Sequence, residues 1–287
     1  MRWCLACLIL GAGVGWWLTA PSKGDLTRFD GLVGDGERGA LVFAAAGCGG
    51  CHVAPDAETT DLPVLTGGYR IVSPFGTFVS PNISPGDRGL GGWDLADFAA
   101  ALTSGVSPNG THYFPAFPYA AYAAMAPQDV ADLWAYIKTL PTSDVPNQPH
   151  DIAFPFNVRR GIGAWKMLLS EGWVLKDAHS PELERGRYLV EALAHCAECH
   201  TPRQSTGHLD ETRWMRGAPN PSGKGRIPSI HPADLTWSVG DIAYYLETGF
   251  TPDFDSAGGT MTEVIRNMAK LPAEDRAAIA SYLKALP

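Results

Sequence analysis

The chain has 287 residues, 45% of them apolar and 18% charged, with 32 Gly, 23 Pro and a formal charge of −8. That is the composition of a folded protein long enough for two modest, loop-rich domains, and not of a disordered or collagen-like chain. The acidic balance and the lack of any Lys/Arg run argue against nucleic acid and fit a partner with a basic face.

Residues 1–22 read as a membrane segment. Trp3 to Ala20 is eighteen residues without a charge, near the lower limit for a bilayer span and longer than the usual core of a signal peptide. Trp16 and Trp17 suit the outer interface. A cut after Leu18-Thr19-Ala20 would leave Pro21 next, so an uncleaved anchor is expected rather than a removed signal. Either way the rest of the chain is delivered across the membrane. Cys4 and Cys7, inside the apolar run, read as inert small hydrophobes.

Glu37 to Ala46 reads as a short helix that leads into Cys48-Gly49-Gly50-Cys51-His52, and Leu183 to Ala194 as one that leads into Cys196-Ala197-Glu198-Cys199-His200. Both pentapeptides are C-x-x-C-H, the signature of c-type haem attachment. Two thiols one helical turn apart reach the two vinyl groups of one porphyrin, and the adjacent His lies under the iron as proximal ligand. One such motif alone is equally a dithiol or half a zinc site. The surrounding repeat decides for two covalent haems. Glu37-Arg38-Gly39 recurs as Glu184-Arg185-Gly186. Trp93-Asp94-Leu95-Ala96-Asp97 through Leu102, Gly105 and Pro108 recurs as Trp237-Ser238-Val239-Gly240-Asp241 through Leu246, Gly249 and Pro252. Asp129 to Pro141 recurs as Asp275 to Pro287.

Further helices are expected over Leu95–Leu102, over Val130, Leu133, Trp134, Ile137 and Leu140, which share one face and stop at Pro141, and over Ile279, Tyr282, Leu283 and Leu286. Strand signals are sparse, and the class is all-α. Two tandem domains are expected at 23–141 and 183–287, joined by a linker at 142–182. The middle of that linker, Phe154 to Leu169, is too aromatic and aliphatic for a free tether; it packs across both domains or forms a hairpin on one.

A Met thioether opposite the His would make each iron a fast one-electron carrier. Met261, after Ser256-Ala257-Gly258-Gly259-Thr260, is the candidate in the second half, with Met215 and Met268 as lesser ones. Gly249 to Met261 is twelve residues, and Gly105 plus twelve gives Phe117, which cannot ligate iron. Met125, eight residues further on, is the expected substitute. The alternatives are His112 or an open iron. Asn82 and Arg203 could hold haem propionates or serve only turn formation and solvation. His150, His179, His195, His208 and His231 read as surface or structural.

Several stretches together are similar to a known family: Gly91-Gly92-Trp93, Gly105-Val106-Ser107-Pro108-Asn109-Gly110, Tyr113-Phe114-Pro115-Ala116-Phe117-Pro118-Tyr119, Cys199-His200-Thr201-Pro202-Arg203 and Gly223-Lys224-Gly225-Arg226-Ile227-Pro228. Through them the chain resembles the membrane-anchored, multi-haem cytochrome c subunits that accompany periplasmic dehydrogenases, among them alcohol and gluconate dehydrogenases and molybdenum hydroxylases. The resemblance implies class I cytochrome c-like domains that pass electrons from a catalytic subunit toward quinone, a cytochrome or a terminal oxidase. Many such relatives carry three haems and a Met where Phe117 stands. Di-haem relatives with this Phe are similar through the Tyr-x-x-Met ending at Met125. The expectation is an electron-transfer subunit without its own substrate turnover. Its rival is a di-haem oxidase or peroxidase with an open or displaceable site in the first half.

Overall fold

The computed structural model describes residues 2–57, 62–170, 172–221, 223 and 225–287. Lys224 of the Gly223–Pro228 stretch and the side chain of Cys4 lie outside the described residues; Cys7 is an exposed free thiol. After α1 (Arg2–Leu18), the first half runs α2 (Gly36–Ala45), α3 (Cys48–His52), strands β1 (Arg70–Ser73) and β2 (Gly76–Val79), α4 (Leu95–Ser104), α5 (Tyr119–Tyr122) and α6 (Pro127–Ile137). The linker contributes α7 (Gly161–Lys166). The second half runs α8 (Pro181–Arg187), α9 (Ala197–His200), strands β3 (Ala218–Pro219) and β4 (Arg226–Ile227), α10 (Val239–Thr248), α11 (Met261–Met268) and α12 (Ala273–Ala285). The protein is mostly helical, as the periodicity implies. Its strands form two small antiparallel hairpins, β1–β2 and β3–β4, too short to leave an alternating pattern in the sequence.

One helix crossing organises each half, and it explains the repeated Glu-Arg-Gly. A Cβ on Gly39 would stand 2.0 Å from the Asp132 carbonyl oxygen of α6, and one on Gly186 2.1 Å from the Ala278 carbonyl oxygen of α12. Only glycine lets these backbones touch. The Arg beside each glycine locks the crossing with a two-pronged ion pair. Arg38 donates Nε to Asp132 Oδ2 at 2.7 Å and Nη2 to Oδ1 at 3.0 Å; Arg185 donates Nε and Nη2 to the two Asp275 oxygens at 2.7 Å each. The two pairs are not in the same register. Asp275 corresponds to Asp129, whereas Arg38 takes Asp132 one turn later and leaves Asp129 for the other half.

Helix ends follow their capping residues. Asp35 accepts from the Glu37 and Arg38 amides at 2.9 and 3.1 Å, Asp94 caps α4, and Ser238 with Asp241 forms a capping box on α10. The helix expected over Leu183–Ala194 is α-helical only to Arg187 and continues as a π-helical turn over Tyr188–Leu193. The two halves share one apolar core, running from Phe43, Leu102 and Leu133 to Leu189, Leu193 and Tyr282.

The expected bilayer-spanning anchor is not supported. Among the described residues no helix is long and apolar enough to cross a membrane. The 17 residues of α1 rise only about 26 Å at ~1.5 Å each, against a hydrocarbon core of about 30 Å. The end of α1 is instead held by the linker: Arg160 donates to the Trp16 carbonyl, covers the Trp16 ring at 4.3 Å and reaches Thr19 Oγ1 at 3.2 Å. The linker touches both halves. Lys166 donates to the carbonyls of Ser104 and Gly105 at 2.5 and 2.9 Å, while the neighbouring Trp165 stacks on His208 with ring centroids 4.4 Å apart.

Candidate haem-attachment sites

α3 and α9 present the two C-x-x-C-H motifs in matching surroundings. The amide of Gly67 donates to the His52 carbonyl at 2.7 Å, and that of Gly217 to the His200 carbonyl at 2.7 Å. Each imidazole then meets a proline carbonyl: His52 Nδ1 lies 2.9 Å from Pro81 O, and His200 Nδ1 2.8 Å from Pro228 O. A carbonyl only accepts, so Nδ1 carries the proton and Nε2 keeps a free lone pair, the tautomer an iron ligand needs. Burial holds both imidazoles below their ordinary pKa, and the hydrogen bond to proline works weakly against it. Neither proline was singled out from the sequence, although Pro228 closes one of the stretches that carry the resemblance.

The four thiols are free of disulfides. Burial first, and then the neighbouring Cys51, pushes the Cys48 thiol up to about 12; burial and then Cys199 do the same to Cys196. Such thiols stay protonated at neutral pH, unlike the lowered-pKa thiol of a redox dithiol. The Cys51 thiol is also raised, by burial and then by Cys199 of the other half. The two motifs therefore lie close enough to feel each other's charge.

The contact that brings them together is polar and specific. Tyr122 donates its hydroxyl to the Ala46 carbonyl at 3.0 Å, and His195 Nε2 reaches the same oxygen at 3.3 Å, with the two rings 5.5 Å apart. Ala46 ends α2, two residues before Cys48; His195 immediately precedes Cys196. Tyr188 donates to Asp129 Oδ2 at 2.6 Å and accepts from the Ala126 amide at 3.1 Å. These residues brace the Tyr122–Ala126 segment from the second half. The sequence gives no sign of this; His195, read as surface or structural, is a partly buried structural residue at the contact between the halves.

Met125, 2% exposed, sits within that braced segment. Phe117, in the place that corresponds to Met261, packs among Tyr113, Tyr119 and Tyr122 with centroids 5.9, 6.2 and 5.9 Å away. Met261 opens α11 and packs, partly buried, against the core, where Met215 and Met268 are deeply buried. His112 has its Nε2 engaged by the Thr19 carbonyl at 3.1 Å, while its Nδ1 is buried with no partner among the described residues. Asn82 is a structural staple: its amide donates to Ser143 O and Val145 O at 3.0 and 2.9 Å, and its oxygen accepts from the Ser84 amide at 2.9 Å. Arg203 is occupied by Glu198 and by the Gly207 carbonyl. Both Asn82 amide hydrogens are thereby engaged, whereas Arg203 keeps N–H donors that these bonds do not use.

Each half thus supplies a donor set that fits a covalent haem: two uncombined thiols one turn apart and an imidazole oriented through Nδ1. The fold and the site define a tandem, mostly helical c-type haem protein. The chain belongs to the cytochrome c family, whose model matches residues 36–141 and 183–287, and it carries two covalently bound haem c groups. It is 55% identical to a diheme cytochrome c-type protein of Cereibacter sphaeroides over 285 residues, 99% of this chain and 96% of that one. It is 36% identical to the fructose dehydrogenase cytochrome subunit of Gluconobacter japonicus over 259 residues, 87% of this chain and 52% of that one, so it spans about half of that relative. It is 30% identical to the gluconate 2-dehydrogenase cytochrome c subunit of Pantoea cypripedii over 299 residues, covering 98% of this chain and 64% of that one.

Proposed function

We propose that the chain relays electrons from a periplasmic dehydrogenase to a respiratory acceptor (a quinone, a cytochrome or an oxidase). In this reading Cys48 and Cys51 hold one haem over His52, and Cys196 and Cys199 hold the other over His200. The bound haems supply a one-electron iron couple. The chain's own residues do the rest. Pro81 and Pro228 fix the imidazole tautomers, and the surrounding core excludes water. Tyr122 and His195 tie the peptide before one attachment site to the peptide before the other. The observation that carries the reading is this juxtaposition of two equivalent donor sets across one hydrogen-bonded interface. Met125 and Met261 are the proposed sixth ligands. For Met125 the support is its burial beside Tyr122, the Phe at the corresponding position and the prior engagement of His112.

The proposal includes attachment to the inner membrane through α1, whose Leu10, Val14, Trp16, Trp17 and Leu18 are exposed. Relatives named as cytochrome subunits of fructose, alcohol and gluconate dehydrogenases support a catalytic dehydrogenase as partner. A pyridine haemochrome assay should give two haems c per chain. Solubilised membranes should yield a dehydrogenase catalytic subunit with the chain, and substrate added to that complex should reduce both haems. Fewer than two haems, or a complex whose haems stay oxidised while an artificial dye is reduced, overturns the relay.

A further inference from the structure

The duplication shows what one surface of the second half is built to receive. The loops at 105–113 and 249–257 repeat bond for bond. The amide of Ser107 donates to Thr111 O and that of Thr251 to Asp255 O, both at 2.9 Å. Tyr113 N donates to Gly105 O and Ala257 N to Gly249 O, both at 2.8 Å. The Thr111 amide donates to Ser107 Oγ and the Asp255 amide to Thr251 Oγ1, both at 3.0 Å. Val106 bridges His112 as Phe250 bridges Ser256. The two faces can therefore be compared residue for residue.

In the first half the chain covers this face itself. Lys23 pairs with Asp97 at 3.0 Å, and the Lys23 carbonyl accepts from Ser104 Oγ at 2.9 Å. The Thr19 carbonyl is bonded by His112, and Lys166 donates to the carbonyls that end α4. Ala100 is 0% exposed and Val106 1%. In the second half the corresponding Tyr244 and Phe250 are 55% and 54% exposed. Asp241, the counterpart of Asp97, is bonded only to its own helix cap, with no cation beside it among the described residues. At the loop tip, where Gly110 takes a φ of +74° in the first half, Phe254 is held at +62° and is 96% exposed. A bulky side chain is disfavoured in that left-handed region, and here the conformation is retained on an uncovered aromatic. Asp241, Tyr244, Phe250, Thr251, Pro252 and Phe254 line a recess of about 410 Å³, and the exposed Asp253 and Asp255 flank Phe254 in sequence.

We infer that this recess is the docking site for a lysine-bearing segment of the electron-donating protein, which covers it as Lys23 and its neighbours cover the first half. The inference rests on the relay reading and specifies where the donor binds. One partner lysine takes Asp241 as Lys23 takes Asp97, a second takes the carbonyl end of α10 as Lys166 takes that of α4, and apolar side chains take Tyr244, Phe250 and Phe254. Three features select this occupant: the unmatched carboxylate, the exposed acidic residues on either side of Phe254 and the chemistry of the segment that fills the twin face.

The test uses the full haem-loaded chain in its native membrane complex. Zero-length carbodiimide coupling followed by peptide mapping should join Asp241, or the adjacent Asp253 or Asp255, to a lysine of the co-purifying catalytic subunit. Asp241→Asn should lower that coupling, and Tyr244→Ala and Phe254→Gly, each restoring the residue of the first half, should lower retention of the catalytic subunit about tenfold or more, the scale of an interface hot spot. The haem spectrum and both potentials should be unchanged, which separates lost docking from lost folding and from a failure of the relay itself. Undiminished retention in all three variants overturns the proposal, as does coupling of Asp241 to a lysine of a second copy of this chain.

Discussion

Replacing Met125 by Leu separates a ligand from a packing residue. Met125 is 2% exposed within the shared core, and Leu fills nearly the same volume. The swap should therefore cost less than about 1.5 kcal/mol of stability. For a half of this size that is a fall in Tm of roughly 12 °C at most, using ~4–8 °C per kcal/mol. Met125→Ala is a poorer probe, because the cavity alone costs about 2–5 kcal/mol and confounds any spectral change. If the thioether binds iron, Met125→Leu should remove half of the long-wavelength sulfur-to-iron(III) absorption band and lower one of the two reduction potentials, since the softer Met donor raises potential. Met261→Leu should remove the other half, and the double variant all of it. Cyanide should bind the single variant quickly and the wild type slowly. A full-strength band in Met125→Leu, with both potentials unmoved, would refute Met125 as ligand and leave it a core residue.

Other expectations follow from the helix crossings and the contact between halves. Gly186→Ala drives a Cβ to 2.1 Å from the Ala278 carbonyl oxygen; overpacking of about 3 kcal/mol less roughly 1 kcal/mol of helix propensity leaves about 2 kcal/mol, read as a lowered Tm by calorimetry. Gly240→Ala, whose Cβ would meet only Ser238 Oγ at 3.7 Å, should be neutral or slightly stabilising. Burial pushes the Asp132 carboxyl up, but hydrogen bonds from Arg38, the Asp35 amide and Gln128 outweigh it and hold the group below its ordinary pKa. Its contribution is thus fully present above the unfolded carboxylate value near 3.9 and is lost as pH falls through the lower folded value. Asp132→Asn should cost about 1–2 kcal/mol at neutral pH, little for a pair with an exposed Arg38, and the gap to wild type should close below about pH 4 in denaturant titrations. Tyr188→Phe removes the bond to Asp129 and the acceptor for the Ala126 amide; the halves should then unfold in more widely separated calorimetric steps, and an unchanged profile would show that this contact does not couple them.

The haem attachment and the duplication are legible from the sequence because both are local. C-x-x-C-H spans one helical turn, so its spacing alone places two thiols and an imidazole together, and Glu-Arg-Gly with the terminal helix recurs as a linear pattern. Tertiary structure alone decides the features that join distant residues. Nothing near Pro81 or Pro228 says that their carbonyls meet His52 and His200, 29 and 28 positions earlier. His195 reaches Ala46 across 149 positions, so its role is invisible to periodicity. Asn82 carries an amide that could serve a propionate, yet two backbone carbonyls take both of its hydrogens. The apolar start of the chain reads as a span, while the helix it forms is one turn too short for one. The two loop faces look alike in sequence, and only packing distinguishes them: Lys23 lies 74 positions from the Asp97 it neutralises, and Asp241 has no such partner among the described residues. Charge and hydrogen-bond satisfaction depend on distance in space, which the order of residues does not encode once the chain folds back on itself.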